Sequence, residues 1–165
     1  MTLEIERKFL VEGDFRPFAA SASHIVQGYI CAERGRTVRV RLRDEAGFLT
    51  IKGPSTDDGL SRSEFEYPVS ADDARALLRL CQGGIIDKTR WLVPMADGHT
   101  FEVDEFHGAN DGLVMAEVEL GSETEAFEKP DFLGPEVTGD KHFYNSYMLA
   151  NPYSAWKQLV PEEYR

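Results

Sequence analysis

Residues 1–9, Met1-Thr2-Leu3-Glu4-Ile5-Glu6-Arg7-Lys8-Phe9, decide the reading of the fold. Successive side chains of a strand point to opposite faces, so Leu3, Ile5 and Phe9 share one side and Glu4, Glu6 and Lys8 the other. Two carboxylates and one ammonium then line a single face. The pattern recurs down the chain. Val38, Val40 and Leu42 alternate with Arg39, Arg41 and Arg43. Leu49 and Ile51 alternate with Thr50 and Lys52, and Phe65 and Tyr67 with Glu64 and Glu66. Lys88 and Arg90 share a face, as do Glu102 and Asp104, and Glu117 and Glu119. Residues 24–30 read as a further strand, with Gln27 and Tyr29 on one face and Gly28 marking a bulge or a close backbone approach.

Ala46-Gly47 and Asp97-Gly98 read as hairpin turns, and 53–59 as a loop. Pro68 should end a strand or mark an edge. Ser70 is an N-cap for a helix over 70–82, with Ala74, Leu77, Leu78 and Cys81 on one side and Gly83-Gly84 as its stop. Ser122 followed by Glu125 is a capping-box spacing and predicts a short helix before Pro130. Residues 134–139 read as irregular. Helices are predicted over 141–150 and 153–160, separated by Asn151-Pro152. About eight strands on short turns, with three or four helices, give an α+β chain with a closed or nearly closed antiparallel sheet. An eight-stranded barrel has an interior sized for one small ligand. A chain of 165 residues fits one domain, 1–165.

The formal net charge of −11 argues against a general nucleic-acid binder, whose footprint is basic. It leaves room for a polyanionic small molecule, because divalent cations bridge carboxylates to phosphates. Cys31 and Cys81 lack metal or redox spacing, which predicts a reducing, cytoplasmic setting. No apolar run is long enough for a membrane span, and charge alternation at residues 4–8 predicts no signal peptide.

Any single E-x-E or R-x-R strand fits an ordinary sheet with its polar face in solvent. Two features point instead to a charged interior. The charges run almost unbroken at i, i+2, and like signs share a strand, which is disfavoured unless a ligand or an opposite strand offsets them. Helices also need an apolar surface to pack on, and an outward apolar strand face supplies one. A lipocalin-like barrel would need the reverse orientation. Physically, arginines and lysines facing clustered carboxylates suit a polyphosphate with Mg2+ or Mn2+. The four histidines and two cysteines do not cluster as zinc ligands, and no Walker A loop is present.

Glu4-Ile5-Glu6-Arg7-Lys8 resembles the E-x-E-x-K signature of the CYTH superfamily, the triphosphate tunnel metalloenzymes. It is followed in order by Gln27-Gly28-Tyr29, Val38-Arg39-Val40-Arg41, Leu49-Thr50-Ile51-Lys52, Glu64-Phe65-Glu66, Lys88-Thr89-Arg90, Glu102-Val103-Asp104 and Glu117-Val118-Glu119. The resemblance implies an eight-stranded antiparallel tunnel with a charged lumen and helices packed outside. It implies Glu4, Glu6, Glu64, Glu66, Asp104, Glu117 and Glu119 as metal ligands. Lys8, Arg39, Arg41, Arg43, Lys52, Lys88 and Arg90 would bind the triphosphate. Glu4, Glu6, Lys8 and Tyr29 would serve cleavage.

That family implies metal-dependent hydrolysis of a triphosphate, with inorganic tripolyphosphate placed first. Thiamine triphosphate or a nucleotide comes second and adenylate cyclisation third. A non-catalytic polyphosphate-binding module is the alternative of another class, and the presence of all four acidic pairs counts against it. No nucleic-acid or membrane partner is expected, and a barrel edge or the C-terminal aromatics offer a surface for a homodimer. His24, His99, His107 and His142 are expected at the surface or in structural roles, Cys31 and Cys81 as small buried residues, and Trp91 and Trp156 in packing. Asp140, Lys141 and Tyr144 resemble the family's stretch after the last strand, and a helix cap with a core aromatic explains them about as well.

Overall fold

The computed structural model describes residues 1–165. Its strands are β1 (Thr2–Val11), β2 (Ser21–Glu33), β3 (Arg36–Arg43), β4 (Ala46–Ser55), β5 (Ser61–Val69), β6 (Gln82–Pro94), β7 (Thr100–Phe106), β8 (Val114–Glu119) and β9 (Leu133–Glu136). Eight of them close a barrel in the order β1-β8-β7-β6-β2-β3-β4-β5. The ring closes where β5 returns to β1, with Thr2 opposite Glu64 and Ile5 opposite Ser61. Every pairing is antiparallel. β9 extends the seam on β1, with Phe9 opposite Glu136. Because β1 engages β5 only through residues 2–5, the far end of β5 keeps a single neighbour, β4. Pro68 lies there, where its missing N–H costs no second ladder bond.

Alternation separates two cores. The outward face carries Ile5, Phe9, Val93, Phe101, Val103, Ala116 and Val118, all buried. Phe15 and Phe132, brought in by the connections before β2 and before β9, cover them. Helix α1 (Ala71–Leu78) lies on the outside of β3 and β4, with Ala74 fully buried. The inward face is charged through Lys8, Lys88, Asp104 and Glu117, and one step further along the same strands it turns apolar at Leu10, Ile86, Phe106 and Met115. Those four join Phe143, Met148, Tyr153, Trp156 and Val160 in a second buried cluster. The C-terminal helices α2 (Asn145–Met148) and α3 (Tyr153–Trp156) therefore cap one end of the barrel. Burying several aromatics there contributes on the order of 1.5–3 kcal/mol each.

Local expectations needed correction at several points. The first helix stops at Leu78, and Gly83-Gly84 belong to β6, because Gln82 already pairs with Tyr29. Gly28 fulfils both readings offered for it. The register shifts around it, and a Cβ there would meet Cys81 Cβ at 2.9 Å. β4 runs on to Ser55, so the loop shortens to 56–60. The Ser122–Glu125 spacing makes a turn and no helix. The Glu125 carboxylate accepts from the Gly121 N–H, and Phe127 is drawn onto Phe9 and Phe101. The stretch 134–139 reads as irregular from sequence, but its first three residues belong to strand β9 (Leu133–Glu136). The segments 141–150 and 153–160 break into α2, α3 and short 3-10 turns, as aromatic packing at the barrel end overrides helical spacing.

Candidate active site

Seen around the barrel, the inward charges fall on two walls. Strands β6, β2, β3 and β4 are neighbours and carry Lys88, Arg90, Arg39, Arg41, Arg43 and Lys52. Strands β5, β1, β8 and β7 are neighbours and carry Glu64, Glu66, Glu4, Glu6, Glu117, Glu119, Glu102 and Asp104. Lys8 and Arg62 are the cations on the acidic side. Together they enclose a cavity of about 230 Å³, with Tyr29, Tyr144, Asn145 and Ser146 also on its lining.

The seams between the walls are neutralised by ion pairs. At β6/β7, Arg90 stands opposite Asp104 and donates to it at 2.7 and 2.8 Å, and Lys88 donates to the same carboxylate at 2.7 Å. Glu102 also pairs with Arg90. At β4/β5, Lys52 stands opposite Glu64 and reaches across to Glu4 at 2.7 and 2.8 Å. Arg62 donates to Glu4 at 3.3 Å. Lys8 lies 3.6 Å from Glu6, 3.7 Å from Glu117 and 4.7 Å from the Tyr144 ring centre.

Away from the seams the charges are less well matched. On β3, Arg39 has Tyr29 and Thr50 as cross-strand neighbours, and Arg41 has Gln27 and Phe48. Arg39 donates to Thr50 at 3.1 Å and lies 3.6 Å from Glu66, while its Nε is buried without a hydrogen-bond partner. On the acidic side, Glu119 stands opposite Glu6, and Glu117 opposite Glu102. Directly opposed like charges are destabilising.

Proton affinities follow this layout. Burial, then Glu6, push the Glu117 carboxyl up, and burial, then Glu4 and Glu102, do the same to Glu119. Glu64 rises through burial and Glu4. Burial also opposes ionisation of Glu4, but Lys52 and Arg62 outweigh it and hold the carboxyl low. Asp104 is buried too, yet Arg90 and Lys88 keep it well below the usual range. On the basic wall, burial with Arg39 and Arg90 lowers Arg41 to about 9. Burial lowers Lys88 to about 7 even beside Asp104, because Arg90 and Arg41 press on it. Lys52 is lowered by burial. Burial disfavours the charge on Lys8, but Glu117 and Glu6 more than restore it.

The donors on the acidic wall are all carboxylate oxygens, which suit a hard divalent cation. No three of them are gathered into a ready metal-holding group. Among the residues singled out from sequence, Glu4, Glu6, Lys8, Tyr29, Arg39, Arg41, Arg43, Lys52, Glu64, Glu66, Lys88, Arg90, Glu117 and Glu119 line one cavity. Asp104 lies behind that lining with both oxygens taken. Arg43 sits at an exposed end over the Phe48 ring. Sequence reasoning passed over Arg62, although it shares the i, i+2 face of Glu64 and Glu66. Asn145 accepts from Lys88 at 3.3 Å and had no periodic signal, since it belongs to the cap.

The CYTH domain family profile matches residues 2–144. An inorganic triphosphatase of Acetivibrio thermocellus is 45% identical over 159 residues, 96% of this chain and 100% of that protein. An inorganic triphosphatase of Nitrosomonas europaea is 36% identical over 146 residues, 86% of this chain and 93% of that one. A crystal structure of an inorganic triphosphatase superposes with a TM-score of 0.64 at 32% identity, covering 91% of this chain and 96% of the other.

Proposed function

The chain belongs to the CYTH domain family, and from that premise we propose that it is a metal-dependent inorganic triphosphatase, cleaving tripolyphosphate to pyrophosphate and phosphate within the barrel. The reading rests on one observation above all. A basic wall and an acidic wall face each other across a single cavity, with their seams already neutralised.

Arg39, Arg41, Arg43, Lys52, Lys88 and Arg90 would hold the phosphates, arginine by gripping two oxygens at once. Mg2+ or Mn2+ would be held by Glu6, Glu117 and Glu119, with Glu4, Glu64 and Glu66 at the margin. When bound, such a cation neutralises phosphate oxygens and activates water. Asp104 serves by fixing Lys88 and Arg90, its two hydrogen-bonded cations. Lys8 stands beside Glu6 and Glu117 with its proton firmly held, so it would stabilise charge developing on the phosphate during cleavage. Tyr29 lies next to Arg39 in the lining and would orient a phosphate oxygen. In this reading residues 1–165 act as one catalytic unit on a small molecule in the cytoplasm.

The test is phosphate release from inorganic triphosphate, ATP and thiamine triphosphate, assayed side by side with Mg2+, Mn2+ or chelator. Metal-dependent release strongest with inorganic triphosphate is expected. Preference for either organic substrate would move the assignment to that triphosphatase. Cyclic AMP and pyrophosphate from ATP would select a cyclase, and a folded protein inert to all three would leave a binding module.

A further inference from the structure

The cations of the lumen differ in what stands across the ladder from them. Lys8, Lys52, Arg62 and Arg90 each face a carboxylate: Glu117, Glu64, Glu4 and Asp104. Arg41 faces Gln27, a neutral amide that is fully buried. The Arg41 Nε donates to Gln27 Oε1 at 2.9 Å, and no carboxylate lies within 4 Å of Arg41, in contrast to Arg39, Lys52 and Arg90. The Gln27 Nε2 is itself buried without a partner. An amide there fixes the guanidinium through one hydrogen bond and takes none of its charge. A glutamate of the same length would fix it equally well and cancel it. An uncompensated buried cation costs stability in the empty protein, and that cost is returned only when an anion arrives.

We propose that Gln27 is a positioning residue that sets the affinity for the polyanion, by aiming Arg41 into the lumen while leaving its positive charge unspent. This rests on the proposed triphosphatase reading for the identity of the anion. Arg41 lines the cavity and Gln27 stands behind it, so Gln27 acts through the arginine and touches no phosphate. The remaining Arg41 nitrogens, with no hydrogen bond to the protein, are left for phosphate oxygens.

The experiment is steady-state kinetics with inorganic triphosphate and Mg2+, together with thermal unfolding with and without triphosphate. Wild type, Gln27→Glu, Gln27→Met, Arg41→Met and the double variant Gln27→Glu/Arg41→Met are compared. Gln27→Glu is expected to raise KM about tenfold or more, leave kcat within about threefold, raise the melting temperature of the ligand-free protein and shrink the triphosphate-induced shift. On the Arg41→Met background the same change should leave KM where it was. Should Gln27→Glu fail to fold, Gln27→Met still decides. It removes the acceptor without adding charge, and should raise KM while leaving ligand-free stability near wild type. Unaltered KM and ligand shift in a folded Gln27 variant would overturn the proposal, as would an equal KM change with Arg41 absent. Wild-type turnover reads the triphosphatase assignment separately: if wild type cleaves triphosphate and the Gln27 variants match it, only the role of Gln27 fails.

Discussion

On β3, Arg39 and Arg41 stand between neutral cross-strand neighbours; on β8, Glu119 faces Glu6 and Glu117 faces Glu102. The two walls thus carry excess charge by different means. The basic wall spaces its arginines among Gln27, Tyr29, Thr50 and Phe48, and relies on guanidinium groups that keep their charge at neutral pH when buried. The acidic wall stacks carboxylate on carboxylate, and Glu117 and Glu119 respond by holding their protons more tightly. The arginines of β3 are set to receive an anion without further change. The acidic wall gains most when a cation separates its members. The ion pairs at the seams, Asp104 with Lys88 and Arg90 and Glu4 with Lys52, hold the walls together while both remain strained.

The division is broken most directly on the basic side. Arg39→Ala is expected to lower kcat/KM for inorganic triphosphate by about a thousandfold, since it removes charge-assisted bonds to phosphate. Urea unfolding of the ligand-free variant should change little. Full activity in a folded Arg39→Ala protein would refute the division of labour. At the seam the balance reverses. Asp104→Asn leaves Lys88 buried with no carboxylate and Arg90 with Glu102 alone, and should cost about 3 kcal/mol of unfolding free energy. Wild-type stability in that variant would mean the walls do not depend on the seam. Glu119→Gln lies between these cases. Removing one of two opposed carboxylates should slightly stabilise the metal-free protein and raise the Mg2+ needed for half-maximal activity about tenfold. An unchanged metal titration would remove Glu119 from the cation site.

The walls were legible in the sequence because a barrel strand has a period of two, and every charged strand here obeys it from Glu4 to Glu119. Which wall met which was not legible. The segregation of sign depends on ring order, β6-β2-β3-β4 against β5-β1-β8-β7, and the β2–β6 ladder pairs residues far apart in sequence, as in Ile25 opposite Lys88. The end cap was hidden for another reason. Leu10, Ile86, Phe106 and Met115 continue the charged faces in perfect phase, so alternation alone marks them as lumen without saying that aromatics fill that end. The position of Tyr144 over Lys8 depends on that cap, and on Gly59 and Gly139. These two positive-φ glycines pack so closely that a Cβ on Gly59 would lie 2.5 Å from Gly139 Cα and 3.0 Å from the Tyr144 hydroxyl. At Asp104 the limit is simpler: strand pattern places it beside Glu102, and only the hydrogen bonds reveal that both its oxygens accept from Lys88 and Arg90.

The smallest effect separates the walls by the sign of their response to pH. Lys88 sits near 7 and Arg41 near 9, both below their ordinary values because burial disfavours their charge. In that range the unfolded chain binds more protons than the folded one, so the basic wall adds stability as pH rises from about 7 toward the ordinary lysine value. Glu117 and Glu119 are raised, so the folded chain binds the extra protons there, and the acidic wall adds stability as pH falls toward the ordinary carboxylate range. Metal-free triphosphate touches only the first of these balances. Its charge beside Lys88 should restore the ammonium, so binding at pH 8 should take up protons, about one at most. Titration calorimetry in two buffers of different ionisation enthalpy reads that number directly. Lys88→Met should abolish the uptake while Glu119→Gln leaves it in place. Uptake that vanished with Glu119→Gln would assign the proton to the acidic wall and erase the contrast between the two.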